Sequence, residues 1–138
     1  MDDDVIDIVN NYRMKLPKYQ EDTNKQIDYI KKNFLMIPQH ELLRDTIECC
    51  QTTLDLMQSI FMRLEITYEL THSAIASDNM HSYEVSIENV QKLISILKSS
   101  KQKISVEKLA RIFVSHLSLR VILLNKLLSA IELNYLVE

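Results

Sequence analysis

The sequence predicts an all-α protein: an antiparallel helical bundle of four to five helices, one domain over residues 1–138, with one very long central amphipathic helix. Three observations carry this expectation. None of the 138 residues is glycine, where average usage supplies roughly ten at about 7%, and an interior glycine costs a helix about 1 kcal/mol relative to alanine. There are two prolines, Pro17 and Pro38, and each suits the opening of a helix. Apolar residues recur at 4-3 spacing over long stretches, which is the period of a helical face and not of a strand.

The first helix is expected over about 3–15, with Val5, Val9, Tyr12 and Leu16 on one stripe and Ile6 and Ile8 beside it. Pro17 then opens a second helix over 18–36, because a missing N–H is harmless at the first helical position and the residue before a proline is pushed out of helical geometry. Its stripe is Tyr19, Thr23, Gln26, Ile30, Phe34 and Ile37. Pro38 opens the third helix by the same logic, over 39–76. Leu43, Ile47, Cys50, Leu54, Met57, Phe61, Leu64, Tyr68, Thr71 and Ile75 make a seam of period 3.5, and Arg44, Asp45, Glu48, Asp55, Arg63, Glu65 and Glu69 lie off it. Such a helix would be about 57 Å long at 1.5 Å per residue.

Ser77 to His81 is polar and reads as a loop, followed by a fourth helix over 81–99 on Tyr83, Ile87, Val90, Ile94 and Leu97. A second polar loop, Ser99 to Lys103, precedes Ser105, an N-cap with Glu107 in the first turn. The last helix, 105–136, carries two adjacent seams. One runs Val106, Ala110, Phe113, Leu117, Val121, Leu124, Leu128, Ile131 and Tyr135; the other runs Leu109, Ile112, His116, Leu119, Leu123, Leu127 and Ala130. Two seams mean burial over most of the circumference. Either this helix is central to the bundle, or its second seam meets another chain. No internal repeat is present.

Composition narrows the function classes. Hydrophobic residues are 46% and charged residues 25%, with a net charge of −3, which is ordinary for a globular protein and gives no global pull toward nucleic acid or membrane. Without glycine, the usual phosphate loops, dinucleotide fingerprints and nucleophile elbows have no backbone to be built from. The start Met1-Asp2-Asp3-Asp4 is acidic where a secretory signal is basic. The apolar stretch Ile112–Leu133 holds His116, Arg120, Asn125, Lys126 and Glu132, and charges at about 2.5–3.5 kcal/mol each argue for a buried soluble helix with no transmembrane segment. Cys49 and Cys50 are neighbours, read as two small buried thiols in a reducing compartment, cytoplasm or nucleus.

Candidate chemistry is sparse. Glu69 and His72 form Glu-x-x-His, a spacing that ligates iron in four-helix carboxylate proteins, but no second copy accompanies it. His116 reads as a neutral core or interface histidine, since no cysteine or carboxylate stands at ligand spacing. His40-Glu41 opens a helix without a following histidine, and no serine or cysteine sits in a nucleophile context. The sequence therefore points to no catalytic residue, metal or cofactor. Lys98, Lys101, Lys103, Lys108 and Arg111 cluster around the last loop with Lys92 nearby and Glu107 opposing them, a patch that fits phosphates on nucleic acid or an anionic surface, although no aromatic residue is interleaved for stacking.

An apolar helix wrapped by amphipathic ones resembles the bundles of apoptosis regulators, but that family's signature turns use glycine, and the 39–76 helix is too long for it. The stretch Asn33-Phe34-Leu35-Met36-Ile37-Pro38-Gln39-His40-Glu41-Leu42-Leu43 is similar to a helix-joining segment in a kinetochore scaffold subunit, with no catalytic content. Neither resemblance transfers a functional residue. The sequence points instead to a non-enzymatic adaptor or scaffold subunit that docks partner helices on its apolar seams, in homo- or hetero-oligomers, through Leu119, Leu123, Leu127 and Ala130, with Tyr12 on the first helix as a further contact. The alternative is an anion-binding module using the basic 98–111 region.

Overall fold

The computed structural model describes residues 2–100 and 103–137, with side chains from residue 4 onward. Four helices and one short 3-10 turn account for nearly all of them: α1 (Asp2–Asn33), the turn Phe34–Met36, α2 (Gln39–Thr71), α3 (Ala74–Ser100) and α4 (Val106–Leu136). There is no strand among the described residues.

Ser105 stands where the sequence places it, and Pro38 stands one position ahead of the first helical residue. Pro38 is the N-cap residue of α2, and the Ser105 hydroxyl accepts the backbone N–H of Lys108 at 3.2 Å. Pro17 does not open a helix. It lies inside α1, so the two expected N-terminal helices are one. A proline at mid-helix keeps a helical φ but removes one N–H and crowds the carbonyl four residues back. Tertiary contacts on both sides hold the helix through it. Upstream, Arg13 pairs with Glu132 and bonds Ser129; downstream, Thr23 and Gln26 both accept from Arg120.

The expected 39–76 helix is also corrected. α2 stops at Thr71, and His72 turns left-handed, at φ 52° and ψ 30°, with its N–H on the Tyr68 carbonyl at 2.7 Å. This is the terminating position that glycine usually takes. In a chain without glycine a histidine takes it, and its ring meets the Tyr68 ring edge-on at 5.8 Å. Ser77–His81, expected as a loop, belongs to α3. Its polar residues are the outer face of a helix whose inner face is fixed by buried Ala76. The helices have 32, 33, 27 and 31 residues, so no single one stands out as the long centre.

The centre is a pair. α1 packs on α4, α4 on α2, and α2 on α3. α1 runs antiparallel to α4, as the Arg13–Glu132 and Arg120–Thr23 contacts require. α2 and α4 run parallel. The Gln39 side chain reaches the Ile104 carbonyl, Thr46 lies beside the Leu109 carbonyl, Thr53 meets His116 and Thr67 meets Asn134. The 46–109 and 53–116 pairs keep one offset, 63 residues, across seven residues of each helix, as two helices running in the same direction do. The α2 row Thr46, Thr53, Ile60, Thr67 runs beside the α4 row Leu109, His116, Leu123, Ala130, all buried.

Small α2 residues let the two backbones approach. Each buried threonine returns its hydroxyl to the carbonyl one turn back: Thr46 to Leu42 at 2.6 Å, Thr53 to Cys49 at 3.2 Å and Thr67 to Arg63 at 3.2 Å. Their polarity is thereby satisfied where leaving it unpaired would cost about 1–3 kcal/mol. Leu42, Leu97, Leu109 and Leu117 fill the space around this seam and are almost wholly buried.

By length and composition α4 passes the test for a membrane-crossing helix, with a best window of mean hydropathy 1.4 of which 33% is buried in the bundle. In the fold, its Arg120 and Glu132 are bound to α1, and one face is sealed against α2.

Candidate functional site: the α3–α4 groove and the basic end

Because α3 leans on α2 and α1 leans on α4, α3 and α4 are not sealed against each other along the half of the bundle near the α2–α3 hairpin. A groove of about 540 Å³ remains there. Its floor is Met57, Ile60 and Leu64 of α2 with Leu123 and Ala130 of α4; its walls are Asn79, Ser82, Tyr83 and Ser86 of α3 and Asn125, Lys126, Ser129 and Leu133 of α4. Asn79, Ser82 and Ser86 follow helical spacing, so α3 presents one short polar edge to the groove. Tyr83 stands half-buried in the wall, and burial pushes its phenol pKa up. An apolar floor between small polar rims is the shape that accepts an amphipathic helix. Among the described residues the rim has no carboxylate.

The residues expected to bind a partner fall on both sides of this picture. Leu123 and Ala130 are on the groove floor but buried, at 4% and 8% exposure. Leu119 and Leu127 are half-buried and pack against the central core. The second α4 seam is therefore largely used within the chain, against α2. What remains for a partner is the groove above it. Tyr12 is exposed at 52% on α1, away from the groove, with Lys15 over its ring at 5.8 Å. Sequence reasoning missed Tyr83, Ser82, Ser86 and Leu133, since only the splay of α3 from α4 brings them together.

The basic residues gather at the opposite end, where α1 and α3 finish and α2 and α4 begin. Lys98, Lys103, Lys108 and Arg111 are all exposed there; Lys101 lies outside the described residues. The structure adds Lys31 and Lys32 from the last turn of α1. Lys31 and Arg111 stand on the rim of a cleft of about 430 Å³ lined by Phe34, Glu107, Ala110, Val114 and Ser115. The hairpin end carries Asp4, Asp7, Glu65, Glu69 and Asp78 against Arg63 and Lys126, with Glu132 paired to Arg13, so the excess charge there is negative.

The remaining candidates are dispersed over the bundle. Among the described residues no three of His, Cys, Asp and Glu lie close enough to hold a metal ion. Glu69 and His72 are exposed at the hairpin, and His72 serves as the helix terminator. Cys49 and Cys50 are both free and buried. Burial pushes Cys49 to about 11, against a smaller opposing pull from Arg120, and burial together with neighbouring Cys49 pushes Cys50 to about 12, so neither is a thiolate near neutrality. His116 Nδ1 lies 2.9 Å from Thr53 Oγ1, and burial lowers its pKa. Arg120 stacks on Tyr19 at 4.9 Å, and its buried Nε has no hydrogen-bond partner.

Comparison with known proteins gives no family: no protein-family model matches the chain, no curated protein matches its sequence and no solved structure matches its fold.

Proposed function

We propose that this chain is a non-enzymatic interaction subunit, an adaptor or scaffold that receives one helix of a protein partner in the α3–α4 groove. The observation that carries the reading is the groove itself: a concavity between two helices that pack on different neighbours, with a floor of mostly buried apolar side chains and a rim of exposed polar ones and Leu133. Burying its apolar lining against a partner would contribute about 25 cal/mol per Å² removed from water. The rim bears amide and hydroxyl groups and one cation, Lys126, so the fitting partner is a helix with an aliphatic stripe and uncharged or acidic flanks. α4 is then a core helix of a soluble bundle, and free buried thiols at Cys49 and Cys50 suit the cytoplasm or nucleus.

The test is to block the groove without touching its floor. Ser82→Arg with Ser86→Arg narrows it from the α3 wall. We expect the tagged wild-type protein to retain a defined partner from its native cells and the double variant to lose it, with thermal unfolding unchanged within about 3 °C, the shift of a sub-kcal/mol effect in a domain of this size. An identical partner set for both proteins would reject the reading.

A further inference from the structure

We propose that the basic end of the bundle is a membrane-surface contact that seats on anionic phospholipid, with Leu35 and Met36 entering the interface. The turn Phe34–Met36 joins α1 to α2 at the extreme of the molecule. Phe34 turns inward and packs against the core. Leu35 and Met36 do the reverse and stand 74% and 82% exposed, and Met36 is as open as any large apolar side chain of the described residues. Two adjacent aliphatic side chains at a tip cost free energy in water and have no intramolecular role.

What surrounds them selects the occupant. Lys31 and Lys32 precede the turn by one helical turn. The turn contacts α4, whose first turns carry Lys108 and Arg111, and the Gln39 bond to the Ile104 carbonyl holds the Lys103 segment against the start of α2. The acidic residues at the depth of these cations are Asp28, Glu41, Asp45, Glu48 and Glu107, and Asp45 is already paired with Arg44. Among the described residues none of these five cations takes part in an ion pair; the pairs formed are Arg13–Glu132, Lys18–Asp22, Lys25–Glu21 and Arg44–Asp45. Cations left free around exposed aliphatic side chains match a surface that is anionic outside and hydrocarbon beneath. Nucleic acid would reward the charge but not the aliphatic pair; at the tip Phe34 is turned inward, and the exposed aromatic residue nearby, Tyr29, stands more than a turn back on α1. The site is at the other end of the molecule from the helix-binding groove and does not depend on it.

The experiment is flotation of the purified full chain with phosphatidylcholine vesicles, with and without phosphatidylserine, at low and at near-physiological salt. We expect the wild type to float with the anionic vesicles, not with the neutral ones, and less at higher salt. Lys31→Glu/Lys32→Glu/Lys108→Glu should weaken partitioning by at least on the order of a hundredfold, about fivefold for each positive charge removed. Leu35→Ser/Met36→Ser alters only exposed side chains and should weaken it at least about tenfold while leaving the net charge unchanged. Absence of wild-type flotation at low salt would overturn the proposal. So would binding that the Leu35→Ser/Met36→Ser variant retains in full, or tighter binding to single-stranded RNA in competition, because either result would make the end a phosphate-binding patch and not a membrane contact.

Discussion

Replacing Thr53 with valine removes one oxygen from the parallel α2–α4 seam and almost no volume. Thr53 Oγ1 donates its proton to the Cys49 carbonyl at 3.2 Å, so toward His116, 2.9 Å away, it acts as an acceptor. The imidazole proton therefore resides on Nδ1, as the hydrogen-bond network assigns it. In Thr53→Val that N–H faces a methyl group inside a buried seam, and a buried donor without an acceptor costs about 1–3 kcal/mol. In Thr53→Val/His116→Leu neither polar group remains, and the double variant should return to within about 1 kcal/mol of the wild type. The pH dependence separates this account from a packing effect. Burial lowers the His116 pKa below its ordinary 6.5, so the unfolded chain binds the proton first as pH falls. The stabilisation is complete above about 6.5 and is lost as pH drops toward the folded value, by at most about 1.4 kcal/mol per pH unit. Urea unfolding at a series of pH values, followed by far-ultraviolet circular dichroism, measures both effects. The reasoning fails if Thr53→Val matches the wild type at neutral pH, or if His116→Leu retains the whole acid-side slope.

Three further outcomes follow from other parts of the fold. His72→Val should lower stability by about 1–2 kcal/mol, because a β-branched residue tolerates positive φ poorly, whereas His72→Gly should lose nothing; a matched pair of urea titrations decides it. Pro17→Ala restores an N–H in the interior of α1 and should stabilise the protein by up to about 3 kcal/mol, read as a rise in melting temperature; an unchanged melt would mean that α1 does not unfold with the rest. Cys49 and Cys50 should resist an alkylating reagent in the native state at neutral pH and react freely in urea, because both thiols are buried with pKa values pushed to about 11 and about 12; rapid native labelling would show that the α2 seam opens.

Much of the helical architecture was legible because long stretches obey a single period. The 105–136 helix and its Ser105 cap stand as the sequence places them, and its double seam is explained by one stripe facing α1 and another facing α2. Two boundaries misled for physical reasons. Pro17 is a helix-start signal on local grounds, yet contacts at Arg13 and Thr23 hold one helix through it. Ser77–His81 is polar because it is the outer surface of α3, whereas the true break lies at His72, a residue type that gives no turn signal of its own. The parallel pairing of α2 with α4 was hidden as well, since short loops favour antiparallel neighbours; its trace is the recurrence of Thr46, Thr53 and Thr67 at multiples of seven, met by Leu109, His116 and Asn134. The groove could not be read from the chain, because it arises from which helices fail to touch.

The most direct test of that groove is site-specific photocrosslinking in the native cell, with a photoreactive amino acid placed at Ser86 in the groove wall and, separately, at Gln58, an exposed α2 position outside the groove. A discrete crosslink from position 86 to another polypeptide, lost on Ser82→Arg, and none from position 58, is the expected result. Equal labelling from both positions, or no crosslink from position 86, would contradict it.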